Sequence, residues 1–165
     1  MKSLKFQNGI TLIELSIVSS SVFLIIFAIL ELGVFVFNMQ ILNDLTRRSA
    51  RIAAVCQVDD EHKEQILALA FSEREPGGFS KDNLIIDYLD QDGKKVDDPV
   101  GEFSSIYYVR SRVVDYTYGF TGILNFLGNN GIINMPPFQT ILASESLGIE
   151  RRDEEGNEEY TECKP

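Results

Sequence analysis

Residues 9–37 read GITLIELSIVSSSVFLIIFAILELGVFVF. The 28 residues after Gly9 are apolar or small except for two glutamates, and about 20 apolar residues suffice for a helix to cross a bilayer. Residues 10–57 contain no proline and only one glycine, so the helix can continue past the apolar segment, to a length of roughly 70 Å. The sequence therefore predicts one long helix, of which residues 10–37 span a membrane.

Two carboxylates interrupt this apolar segment. An acidic residue at the centre of a membrane helix costs roughly 2.5–3.5 kcal/mol. A simple anchor gains nothing from that cost, whereas a subunit that leaves the bilayer and docks on a neighbour can use the charge at Glu14. Glu31 lies about 25 Å further along the helix, near the opposite interface of the membrane, and is interpreted as an interfacial carboxylate.

A short basic leader precedes the apolar segment. Lys2 and Lys5 are its charged residues, and positive charge on this short side predicts a cytoplasmic N-terminus and an exported C-terminal domain. A secretory signal would carry a small-residue cleavage site after its apolar region. Here the boundary residue, Gly9, comes before the apolar region, which indicates a different kind of processing.

Leader, glycine and Glu14 together resemble the processing site of type IV pilin-like precursors. The resemblance implies that a prepilin peptidase cuts after Gly9 on the cytoplasmic side and that the new amine of Ile10 is methylated. It also implies that Glu14 pairs with the terminal amine of a neighbouring subunit during assembly. The leader would then be residues 1–9, the long helix residues 10–57, and the exported head residues 58–165.

A second resemblance narrows the family. Glu31-Leu32-Gly33, followed by the Arg-containing small-residue stretch at residues 45–55, is similar to TadE-like minor pilins of tight-adherence pili. This implies a structural subunit of a Tad-type or type IV pilus that serves surface adhesion. Its partners would be other pilin subunits, the prepilin peptidase and the inner-membrane assembly platform. The protein would lie in the bacterial inner membrane as a single pass and reach the pilus or cell exterior after assembly.

The head is predicted to be α+β, with a small antiparallel β-sheet covering an apolar stripe of the long helix, as in type IV pilins. Beyond Phe37 the helix becomes amphipathic: Ile41, Leu45, Ile52 and Val55 lie near one face. A short helix with acids in its first turn is expected over residues 59–71, ended by Glu75-Pro76-Gly77-Gly78. Strands are expected at residues 84–89, 105–116 and 141–150, the second being rich in β-branched and aromatic residues.

Residues 119–138 mix large apolar side chains with glycines, Asn129-Asn130-Gly131 and Pro136-Pro137. Two interpretations stay open for this segment. It is either a buried loop with a short helix that completes the core, or an apolar contact surface for another subunit.

Cys56 and Cys163 are the only cysteines. In an exported domain they would meet an oxidising compartment, which favours a disulfide between them. Closing a loop of about 100 residues contributes roughly 4–5 kcal/mol in the chain-entropy model. The bridge would hold the acidic tail that begins at residue 153.

Charge and motifs exclude several other classes of function. From residue 58 onward there are 10 Lys and Arg against 22 Asp and Glu, so nucleic-acid binding is not expected. Neither a phosphate-binding loop, a nucleophile elbow nor a paired-histidine metal motif occurs, so we expect no catalytic residues, no metal site and no cofactor. The aspartates at residues 90–98 lack the spacing of a calcium loop and are interpreted as a solvated hairpin tip.

Three alternatives to a TadE-like minor pilin stay open. A type II secretion pseudopilin would use the same helix physics in another machine. An adhesin-like tip subunit would bind a surface ligand through residues 119–138 or the acidic surface. A single-pass membrane protein without a pilus role would retain its leader and would not depend on Glu14.

Overall fold

A computed structural model describes the backbone of residues 8–71, 76–120 and 122–148. It contains a long helix followed by short strands, an α+β arrangement that confirms the predicted class. The helices are α1 (Asn8–Val55) and α2 (Asp60–Ala70). The strands are β1 (Leu84–Leu89), β2 (Tyr108–Val113), β3 (Thr117–Gly119), β4 (Ile132–Asn134) and β5 (Gln139–Ala143). Single-turn 3₁₀ helices lie at Lys81–Asn83, Phe103–Ser105 and Ile123–Phe126.

α1 runs without interruption for 48 residues, close to the predicted residues 10–57. It begins two residues earlier and ends two residues earlier. Gly33 leaves the helix intact, because a single glycine costs only about 1 kcal/mol relative to alanine in a helix interior. The chain leaves the helix at Cys56, whose N–H still bonds to the carbonyl of Ile52 at 2.9 Å.

The main sheet is antiparallel, with strand order β1-β2-β5. Leu84 pairs with Val113 and Leu89 with Tyr108, while β5 pairs along the other edge of β2. The strand predicted at residues 84–89 is confirmed at both ends. β3 and β4 form a separate two-stranded sheet.

The other two strand predictions had the wrong limits. A strand was expected over residues 105–116, but β2 is half that length. A 3₁₀ helix that ends at Ser105 lies two residues before it, and Asp115 turns the chain after it with φ of 51°. The last strand was expected at residues 141–150, but β5 begins at Gln139 and ends at Ala143.

The chain divides into two compact units. The helical unit is Met1–Phe37 with Gly119–Ile133, and the sheet unit is Asn38–Tyr118 with Asn134–Pro165. Residues 119–133 therefore belong with the apolar part of α1. Within the sheet unit, Met135 and Phe138 pack against a buried cluster that includes Leu84, Val113 and Tyr116.

In the sheet unit, the buried face of α1 is made mostly of small residues. It follows helical spacing and comprises Leu42, Leu45, Thr46, Ser49, Ala50, Ala53 and Ala54. The predicted apolar stripe was correct at Leu45 and at Ile52, which packs against the buried core, but wrong at Val55, which is 43% exposed. Small side chains let the helix backbone lie close to a sheet, so hydropathy alone misplaces this face.

Candidate functional site

The first candidate site is the apolar surface of α1 in the helical unit. Large apolar side chains from Leu12 to Phe37 are exposed around most of the helix. Among the residues that the structure describes, this is the one helix long and apolar enough to cross a membrane, with a mean hydropathy of 2.5 in its most apolar window. Such a surface is stable only against lipid or against other apolar helices. It indicates a single membrane anchor near the N-terminus.

Glu14 lies exposed within this apolar surface. Within the described part of the chain, no basic side chain lies at ion-pairing distance from its carboxylate. Gly9 and Ile10 lie in the first turns of α1, which places Ile10 about 6 Å from Glu14 along the helix axis. An apolar environment would make an unpaired carboxylate costly and a pair with a cation strong. This position therefore suits a charge partner supplied from outside the chain.

Glu31, the second carboxylate of the apolar segment, is hydrogen-bonded to backbone. Its Oε1 accepts the N–H of Gly122 at 2.7 Å, and its Oε2 accepts the N–H of Leu124 at 2.9 Å. These donors lie at the start of the 3₁₀ helix Ile123–Phe126, where free N–H groups favour an anion. A Cβ at position 122 would lie 3.1 Å from Oε2, so glycine permits this close approach.

Sequence reasoning missed this contact, because it treated Glu31 as an interfacial carboxylate with no internal partner. The two segments are 91 residues apart in the chain, and no local pattern links them. The contact is extended by an aromatic pair, in which the rings of Phe35 and Phe120 have centroids 5.4 Å apart. Together these contacts hold residues 119–133 against α1 within the helical unit.

Among the described residues of the sheet unit, one carboxylate is buried: Asp87 on β1, whose side chain is 1% exposed. Its Oδ2 accepts hydrogen bonds from Nη2 of Arg110 at 2.8 Å and from Nε of Arg112 at 3.0 Å. Lys95 Nζ lies 3.6 Å from Oδ1. Burial raises the pKa of Asp87, but the hydrogen bond from Arg110 and the charges of Arg112, Arg110 and Lys95 outweigh it. The net pKa lies below the usual value of 3.8.

Asp87 and its cations hold β1 and β2 together, since Asp87 and Arg110 are cross-strand partners in the sheet. Sequence reasoning identified the strand but missed the ion-pair cluster, although an aspartate in the middle of an apolar strand was a usable signal. The three cations that pair with the Asp87 carboxylate all belong to the same sheet unit. The cluster therefore has a structural role.

An open depression of about 720 Å³ lies on the same unit, between α1 and β5. Its lining residues are Asp44, Arg47, Arg48, Arg51, Ile52, Thr140 and Leu142. Arg48 donates to Asp44 at 2.6 Å in an exposed pair one helical turn apart. Arg47, Arg48 and Arg51 form a basic strip on a chain with a formal net charge of −10.

The predicted disulfide falls partly outside the described residues. Cys56 is buried, 2% exposed, directly after α1. Cys163 and the acidic tail lie outside the described ranges, so the bridge stays a prediction. Among the described residues no group of three or more His, Cys, Asp or Glu is placed to hold a metal ion.

Residues 9–51 match a family model described as TadE-like protein. The match includes Gly9, Ile10, Glu14 and Glu31, and it confirms the resemblance to TadE-like pilins over this segment. The matched segment covers the exposed apolar part of α1 and the three arginines that follow it. No curated protein and no solved structure matches the chain.

Proposed function

We propose that this protein is a minor pilin or pseudopilin subunit that enters, or primes assembly of, a Tad-type or type IV pilus for surface adhesion. The observation that carries the proposal is the exposed apolar surface of α1 with Glu14 inside it, in the segment that matches TadE-like proteins. A helix of this kind needs lipid before assembly and neighbouring helices afterwards. We propose no catalytic activity for it.

In this proposal residues 1–9 form a leader that a prepilin peptidase removes, after which the amine of Ile10 is methylated. Gly9 suits cleavage because its lack of a side chain lets an enzyme approach the backbone closely. The precursor lies in the bacterial inner membrane with its N-terminus in the cytoplasm and its head, residues 58–165, exported. It meets the assembly platform there and passes into the pilus.

Glu14 sets the axial position of the subunit in the proposed assembly. The amine of Ile10 on one subunit carries a positive charge, and the carboxylate of Glu14 on its neighbour carries a negative one. Coulomb attraction between two such charges grows as water is excluded, and a buried carboxylate left without its partner is strongly unfavourable. The pair therefore favours the one register in which both charges are satisfied.

The proposal is tested by the intact mass of the protein and by its incorporation into pili. In cells with an active prepilin peptidase, the wild-type chain should begin at methylated Ile10, and reduction should add two daltons if Cys56 and Cys163 are bridged. A chain that retains its leader would contradict the proposal and favour a membrane-anchored domain without a pilus role.

Substitution of Glu14 provides the second arm of this test. Glu14→Ala and Glu14→Gln should both reduce the amount of subunit in sheared pili while its level in the membrane stays the same. The glutamine variant retains size and polarity, so a defect in it isolates the charge. Normal incorporation of both variants would contradict the assembly mechanism even if processing is normal.

A further inference from the structure

Residues 116–144 contain no Asp, Glu, Lys or Arg, although charged residues make up 24% of the chain. This 29-residue stretch includes β3, the 3₁₀ helix Ile123–Phe126, β4 and β5. A loop that faces water usually carries charge. The composition indicates that some of this stretch meets a less polar environment.

The uncharged loop Gly119–Ile133 belongs to the same compact unit as the apolar part of α1. It is attached at Glu31, through the hydrogen bonds to Gly122 and Leu124. Glu31 lies 20 residues after Thr11, which corresponds to about 30 Å of helix. That length equals the hydrocarbon thickness of a bilayer, so a span that enters the hydrocarbon at Thr11 reaches the opposite interface near Glu31, where the loop is attached.

The loop satisfies much of its own backbone, which irregular chain near hydrocarbon requires. The N–H of Phe120 donates to Gly131 at 2.8 Å, and Asn129 and Ile132 exchange two bonds of 3.1 Å. Leu127 donates to Leu124 at 2.9 Å. Together with the two bonds to Glu31, these bonds satisfy six N–H groups of the loop.

The apolar side chains of the loop separate into two sets. Phe120 and Leu124 are buried, whereas Phe126 is 74% and Ile132 is 51% exposed. A large aromatic and a β-branched side chain held outward at the end of a membrane span are suited to the boundary between headgroups and acyl chains.

We propose that the loop Gly119–Ile133 is a membrane-interface anchor. It places Phe126 and Ile132 in the lipid leaflet at the Glu31 end of the span while the subunit resides in the membrane. The partner is a lipid surface, argued from the continuity of the loop with the span and from the absence of charge in its sequence. This inference needs only that α1 crosses a bilayer, so it can hold even if the pilus assignment fails.

The chain contains no tryptophan, so Phe126→Trp introduces a single fluorescent reporter. The full-length variant would be reconstituted in phosphatidylcholine vesicles, with and without bromine on the acyl chains, because brominated lipid quenches tryptophan on contact. Phe23→Trp, in the middle of the apolar segment, gives the reference for a residue in lipid. Free N-acetyltryptophanamide beside the same vesicles gives the reference for water.

We expect Phe126→Trp to show a blue-shifted emission and clear loss of intensity in brominated vesicles, approaching Phe23→Trp. Ile132→Trp should behave in the same way and provides an independent reporter if the first variant folds poorly. Emission and quenching equal to the aqueous reference for both variants would overturn the proposal. A blue-shifted tryptophan emission that appears only in assembled pili, without quenching by brominated vesicles, would also overturn the proposal. It would show that the loop contacts a neighbouring subunit and not lipid.

Discussion

The side-chain oxygens of Ser49 and Ser111 lie 2.7 Å apart, and both residues are fully buried between α1 and β2. Ser49 also lies 2.8 Å from the carbonyl of Leu45. A helix and a strand can share a hydroxyl–hydroxyl contact only when both positions are small. This contact therefore fixes how closely α1 lies on the sheet within the sheet unit.

The space at Ser111 should not accept a larger side chain. Ser111→Leu adds volume at a fully buried contact, and overpacking of this kind costs about 1–3 kcal/mol in the free energy of unfolding. Ser111→Ala should cost about 1 kcal/mol or less, because Ser49 retains its bond to Leu45. Urea unfolding of the full chain in detergent micelles measures both, and equal stability of the two variants would show that the contact is not tight.

Removal of the charge on Asp87 should destabilise the sheet. Asp87→Asn leaves Arg110 and Arg112 facing a neutral amide, and breaking a buried ion pair costs about 3–5 kcal/mol. We expect roughly 2–4 kcal/mol here, since both arginines keep some contact with solvent that offsets the loss. Asp97→Asn, at an exposed position, is the matched control and should leave the unfolding curve unchanged.

Asp87 should also make stability dependent on acid pH. Its pKa in the folded protein is lower than its usual value of 3.8, so the unfolded chain binds the proton more readily. The stabilisation is present above pH about 4 and is lost as the pH falls through the lowered folded pKa. A series of unfolding curves between neutral and acid pH should show this loss in the wild type. If Asp87→Asn lost as much stability on acidification as the wild type, the loss would belong to other carboxylates.

Tyr88 on β1 is buried in the core beside Ile86 and Val109, and its phenol should ionise only at high pH. Burial raises its pKa to about 12, because the phenolate would be poorly solvated. The raised pKa contributes stability that is present below the unfolded value of about 10 and is lost as pH rises through about 12. Absorbance titration should show a late phenolate step that disappears in Tyr88→Phe and persists in Tyr107→Phe, a control at an exposed position.

Two glycines offer a matched test of the contact at Glu31. A Cβ at Gly122 would lie 3.1–3.3 Å from the Glu31 carboxylate, whereas a Cβ at Gly119 would have nothing within 4 Å. Gly122→Ala should therefore displace the carboxylate and weaken its bond to the N–H of Leu124. Hydrogen exchange at that amide should become faster in Gly122→Ala and remain unchanged in Gly119→Ala. An unchanged rate in both variants would show that the carboxylate adjusts without loss of the bond.

The sequence was sufficient to predict α1, the antiparallel sheet and the limits of β1, because these depend on local periodicity and β propensity. It was insufficient for the helix face that packs on the sheet, because alanine, serine and threonine carry little hydropathic signal. Val55 was expected on that face since it is large and apolar, but the close approach at Ser49 selects small residues instead.

The residues of the candidate site also differ in whether the sequence alone could identify them. Glu14 was identifiable because its context is local and matches a known pattern. The partners of Glu31 were not, since they depend on a chain reversal 91 residues downstream. Asp87 was overlooked because its three cations come from two other segments of the head.

The hydrogen bonds at Glu31 bear on how a neighbouring subunit would find its place. Two acids occur between residues 10 and 37, and a cationic terminus sliding along the helix could in principle stop at either, about 25 Å apart. The two backbone donors already stabilise the Glu31 carboxylate, which makes it the poorer competitor for an incoming amine. In the proposed fibre, the loop would thus disfavour pairing of an incoming amine with Glu31. The strength of a contact made within one subunit would then determine how accurately subunits align along the fibre.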